Sequence, residues 1–174
     1  MSTSYKDLLV ESFDRINDEL PEQLSNLIGE QLLWRPTADA NSIGWLVWHI
    51  ARCEDAQMAA LTGTDEVYSN GWQEKLDLPY DKADIGYGHS SEQVDAFDVM
   101  DSQVLLDYYA AVYKQTKQIL DGLSEEDLGK VIPNDPYEAT VGVRIVSILN
   151  DITQHFGQIA YVRGMQLLKL AQKS

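Results

Sequence analysis

At 174 residues the chain has the length of one domain, residues 1–174, able to bury a sizeable core. Its 28 acidic side chains against 13 basic ones give a formal charge of -15, which disfavours nucleic acid and an anionic membrane surface as partners. The single cysteine, Cys53, cannot form an internal disulfide, and the opening stretch MSTSYKDLLVESFDRINDEL is interrupted by charge too often for a signal peptide or membrane span, so a cytoplasmic address is expected.

In chain order, SYKDLLVESFDRINDELPEQLSNLI places Leu8, Leu9, Phe13, Ile16 and Leu20 at spacings of three and four, which predicts an amphipathic first helix. Pro21 is expected to kink or restart it before an end near Gly29. After the loop RPTADANS, with Asn41 or Ser42 as cap, IGWLVWHIARCEDAQMAALTG predicts a second helix stopping at Gly63. Its inner ridge reads Leu46, His49, Ile50, Cys53, Ala56 and Ala60, with Glu54 and Asp55 on a solvated face. From Asp65 to Tyr87 the period is lost, and a long connection packed over one end of the domain, anchored by Trp72 and Tyr80, is expected. Ser90 and Gln93 have the spacing of a capping box that opens a short helix. A third long helix follows in SQVLLDYYAAVYKQTKQILDGL, with Val104, Leu105, Tyr108, Val112, Thr116 and Leu120 inward. The stretch SEEDLGKVIPNDPYEATVG reads as a loop with two short extended pieces. A fourth helix is expected from about Val143 to Leu170, facing inward with Ile145, Ile148, Asp151, Ile152, His155, Ile159 and Val162. Four amphipathic segments without sustained strand alternation predict an all-α four-helix bundle, with a long crossover between the second and third helices.

Three histidines are present, His49, His89 and His155, and two of them fall on inner ridges. A ridge histidine alone is most simply a satisfied core group. Asp151 changes the weighing, because a carboxylate on an inner face needs a partner and His155 lies one helical turn on. Either the two form a local ion pair, or both bind a divalent cation together with His49. Two imidazoles and one carboxylate suit Zn, Fe(II), Ni or Mn and leave coordination positions open.

The pair SIGWLVWHIARCED and DITQHFGQIAYVRG, with GYGHS between them, resembles the DinB-like superfamily of small bacterial bundle proteins, in particular the branch related to thiol-dependent S-transferases. The resemblance implies a bundle that is often dimeric, with a metal held by one histidine of the second helix and a His-x3-His pair of the fourth. Some relatives use low-molecular-weight thiols such as mycothiol or bacillithiol as cosubstrates. Carried onto this chain, His49 matches the first ligand and His155 the second histidine of the pair. Asp151 stands where the other histidine would be, and a carboxylate there makes the metal a poorer Lewis acid.

His89, in the loop GYGHSS, is a candidate third imidazole or general acid/base, its two neighbouring glycines allowing close backbone approach. Arg52 and Arg163 are candidates for holding an anionic substrate at the rim, against a plain surface reading. Cys53 is either a soft fourth ligand or, more simply, a small buried hydrophobe. Trp34, Trp45 and Trp48 read as pocket wall, core or dimer contact. Two functions fit: a metal-dependent enzyme that activates a small thiol or water for S-transfer or hydrolysis, and a non-catalytic metal- or small-molecule-binding homodimer in a stress response.

Overall fold

The computed structural model describes residues 4–172, so both extremities of the expected domain lie outside the described residues. Four long helices form the body: α1 (Tyr5–Leu24), α3 (Ile43–Thr62), α6 (Ser102–Gly122) and α8 (Val141–Ala171), with short helices α2 (Glu30–Leu33), α4 (Trp72–Leu76), α5 (Ser91–Asp95) and α7 (Glu125–Leu128) in the connections. Helix α3 packs on α6 and α8, and both of these pack on α1. Consecutive long helices α1 and α3 therefore stand diagonally across the bundle, and α8 becomes the neighbour of α3.

Local chemistry explains most boundaries. Ser4 and Asp7 form a capping box that starts α1, Ser42 caps α3 by accepting from the Trp45 amide, and Gly63 ends α3 in the left-handed region at φ 67°. The capping box at Ser90 and Gln93 opens α5 as its spacing predicts. Three expectations need correction. Helix α1 runs unbroken through Pro21 and ends one turn later, and its buried stripe is Phe13, Ile16, Leu20 and Leu24 while Leu8 is exposed. The connection after Gly63, where no helical period is expected, holds a 3-10 turn at Val67–Ser69 and helix α4. The extended pieces before α8 amount to one antiparallel bridge, Val131 with Thr140.

The crossover is anchored where the aromatic residues suggest. Trp72 lies against Tyr108, and Tyr80 packs on Trp48 while its hydroxyl donates to the Gln93 carbonyl at 2.7 Å. Helix α3 is the central element: from Ile43 to Asp55 every residue is buried, because α2, α6, α8 and the 3-10 turn surround it. Its predicted ridge residues are buried through Cys53, but so are those between them, so the ridge is not one-sided; farther on Ala60 is exposed and Met58 and Ala59 are buried instead. No described helix is long and apolar enough to cross a membrane.

Candidate metal centre

The packing of α8 on α3 brings His49 opposite Asp151 and His155, which share one face of α8 because they are a turn apart. One nitrogen from each imidazole and one carboxylate oxygen all lie within 4.8 Å of one another. The two rings meet edge to face, 4.6 Å between centroids. His155 Nε2 stands 3.6 Å from Asp151 Oδ1, an ion-pair distance longer than a hydrogen bond.

The outer nitrogens are already committed. His49 Nδ1 donates to the Ile85 carbonyl at 2.5 Å, which leaves the lone pair on Nε2. His155 Nδ1 donates to Gln158 Oε1 at 3.0 Å, which in the neutral ring leaves the lone pair on Nε2. Outer partners of this kind orient imidazole ligands and select their tautomer. Burial holds the His49 pKa below its ordinary value, against the Ile85 carbonyl, so the ring is in the neutral form a metal requires. The Asp151 carboxylate raises that of His155, and His155 in turn holds the Asp151 carboxyl below the usual range against burial.

Among the described residues two buried side-chain atoms lack a hydrogen-bond partner, Trp48 Nε1 and Asp151 Oδ2, and the second belongs to this group. Oδ2 of Asp151 is buried without a hydrogen bond, and the nearby Cys53 thiol, which helps keep the carboxylate charged, is too weak a donor to satisfy it. The site opens toward α8, where the Asp151 and His155 side chains are 40% and 22% exposed, while His49 at its floor is 4% exposed. A carboxylate with one unsatisfied oxygen, grouped with two imidazoles, fits a divalent cation by charge and by donor type. Cys53 is buried with Sγ 3.7 Å from His49 Nε2, and burial pushes its pKa far above the ordinary range, so it sits there as a neutral thiol outside the three-residue group.

The other sequence candidates lie elsewhere. His89 receives the Trp45 indole N–H on Nδ1 at 3.2 Å and bonds Asp84 Oδ2 through Nε2 at 2.9 Å, so both its nitrogens are occupied inside the crossover. Arg52 is not at a rim: it is 0% exposed, donates to the carbonyls of Asp84 and Lys82 and to Glu66, and lies over the Tyr68 ring at 4.2 Å. Glu54 and Asp55, expected on a solvated face, are buried. Glu54 accepts from the Thr116 and Tyr109 hydroxyls, and Asp55 from the amides of Val67 and Tyr68 and the Tyr108 hydroxyl. The reason is that α3 has no solvent face here, so its polar residues fasten α6 and the crossover. Arg163 donates to the Ser25 carbonyl and to Gln166, tying α8 to the end of α1. Trp45 and Trp48 are core, and Trp45 stacks on His49 at 4.8 Å. Trp34, half-buried, has the Lys169 ammonium over its ring at 4.9 Å.

Residues 12–159 match the DinB superfamily. The chain belongs to that family. A conserved protein from Enterococcus faecalis, known from its crystal structure, has this DinB fold with a TM-score of 0.85 and 34% identity, over 95% of this chain and 99% of that one. No curated protein matches. In this DinB protein the candidate group His49, Asp151 and His155 is legible in the sequence, whereas Asp84, Ile85, Gly86 and Gln158 are not singled out by it. Backbone carbonyls carry no residue signature, and the only available signal was the pair of glycines in GYGHS. Gly86 indeed sits at φ 85°, where an added Cβ would stand 2.8 Å from Trp45 and 2.9 Å from His49.

Proposed function

We propose that this DinB protein is a metal-dependent enzyme in which His49, Asp151 and His155 hold a divalent transition metal, Zn, Ni, Fe or Mn, and that a low-molecular-weight thiol or water is activated there for S-transfer or hydrolysis. The observation that carries the reading is the grouping of His49, Asp151 and His155, one ligand atom of each lying within 4.8 Å of the others, on a carboxylate whose buried Oδ2 no described residue hydrogen-bonds. A cation in that place supplies Lewis acidity, which brings a thiol or water into its nucleophilic form near neutral pH. The chain's own residues do the rest. His49, held by Ile85 and stacked under Trp45, forms a rigid floor. Three protein donors leave positions for a small molecule, and the exposed edges of Asp151 and His155 define its way in from the α8 side. Because Asp151 favours a proton on His155, loading the site releases that proton, and affinity falls as pH drops.

The test is metal analysis of the purified protein after mild dialysis, with about one equivalent per chain expected and none for His49→Ala or His155→Ala. Consumption of a small thiol by an electrophile, dependent on the metal, then separates transfer from binding. A wild-type protein that neither carries nor takes up zinc, nickel, iron or manganese overturns the reading. A second reading, a non-catalytic homodimer, draws support from the apolar side chains that α8 leaves exposed, Val143, Val146, Tyr161 and Leu168.

A further inference from the structure

Between His49 and His89 runs an unbroken chain of hydrogen bonds that passes through a single peptide group. The Trp45 indole N–H donates to His89 Nδ1 at 3.2 Å. Because an indole nitrogen only donates, the His89 proton is on Nε2, which gives it to Asp84 Oδ2 at 2.9 Å. The other carboxylate oxygen, Asp84 Oδ1, accepts the Gly86 amide at 2.7 Å. That amide belongs to the peptide whose carbonyl, on Ile85, accepts His49 Nδ1–H at 2.5 Å. The Asp84 main-chain carbonyl is held as well, by Arg52 Nε at 3.2 Å. The peptide lies against the His49 ring only because residue 86 lacks a Cβ, which would come within 2.9 Å of Nδ1.

We infer that Asp84 is the outer carboxylate of His49, acting through the peptide joining Ile85 to Gly86, and that His89 is the positioning residue that aims it. Metal-binding histidines commonly donate their second N–H to a carboxylate or to a carbonyl, which sets the tautomer and raises the basicity of the ligand nitrogen. Here the two devices are in series. A carboxylate on the N–H end of a peptide polarises its C=O end, since hydrogen bonds in a buried chain strengthen one another. His89 is thereby neither a ligand nor an acid/base: its ring ties Trp45, which stacks on His49, to the carboxylate that grips the peptide. The inference rests on the metal reading for its consequence in affinity, but not for the tautomer.

Two measurements test it. In metal-free protein, long-range nitrogen–proton NMR of ring-labelled histidine is expected to find His49 protonated on Nδ1 alone, and Asp84→Ala or His89→Ala to give a mixture with the Nε2 form. In calorimetric titration with zinc alone, the same variants are expected to bind about 10- to 100-fold more weakly. His89→Gln, whose amide offers both an acceptor and a donor, is expected to recover most of that loss. Should the alanine variants fail to fold, Asp84→Asn, which keeps an acceptor for Gly86 but not the charge, is expected to show a smaller shift in both readouts. Zinc affinity and His49 tautomer unchanged in the folded Asp84 variants overturn the inference. If wild-type protein takes up no zinc, the metal reading falls, and the tautomer measurement alone decides the role of Asp84.

Discussion

Helix α3 carries two polar clusters one turn apart, and they differ in what they lack. The group of Arg52, Glu54 and Asp55 is closed: each side chain is buried, and each finds its partners within the chain, on the crossover or on α6. The group of His49, Asp151 and His155 is open: it has outer partners on both imidazoles, a half-exposed edge, and a buried carboxylate oxygen with, among the described residues, only the weak Cys53 thiol near it. Buried charge is tolerated when it is matched inside the protein, so the closed group accounts for architecture and the open one points to something from outside.

Substitutions should separate the two clusters. The largest effect is expected from Arg52→Ala, which strips Asp55 and three crossover carbonyl or carboxylate groups of their cation. Breaking such a buried pair costs about 3–5 kcal/mol, read as a lower denaturation midpoint. A variant as stable as the parent would remove the structural role assigned to the closed cluster.

Next comes Glu54. Burial raises its pKa from 4.5 to about 7, with the Thr116 and Tyr109 hydroxyls opposing the shift. A folded value above the unfolded one means that stability is full below pH 4.5, declines as pH rises, and levels off above about 7. The decline is roughly 3 kcal/mol. Glu54→Gln resembles the protonated form, so its denaturation curves between pH 4 and 8 are expected to lack this component; a pH profile parallel to that of the parent would refute it.

Asp151→Ala is expected to cost the metal-free fold far less than Arg52→Ala does while weakening metal binding at least tenfold, or about 1.4 kcal/mol. Equal metal affinity would show that the carboxylate is not a ligand and dissolve the contrast between open and closed clusters. The smallest effect concerns assembly. Light scattering at micromolar concentration is expected to give a dimer, weakened by Val146→Lys on the outer face of α8, where Val146 is exposed. A monomer at that concentration would refute the assembly.

Much of the fold was legible because caps and periodicity are local. Ser42, Gly63 and the Ser90–Gln93 box mark boundaries through their own backbone bonds, and the alignment of His49, Asp151 and His155 on inner ridges follows from helical spacing. The burial of Arg52, Glu54 and Asp55 was misread by assuming that a helix has one wet side. Ile43 to Ala51, apolar all the way around except at His49, was the sign that this one has none. Pro21 predicts a kink or restart, yet α1 continues through it for a further turn.

Four long helices, the caps at Ser42, Gly63 and Ser90 and most residues of each ridge follow from the sequence alone, since these depend on bonds and spacings within a few turns of chain. Tertiary structure decided that α8 lies beside α3, that a backbone carbonyl from the crossover holds His49, and that one set of charges is sealed while the other stays open. Those outcomes depend on which groups from distant segments exclude water together, and no local pattern encodes that.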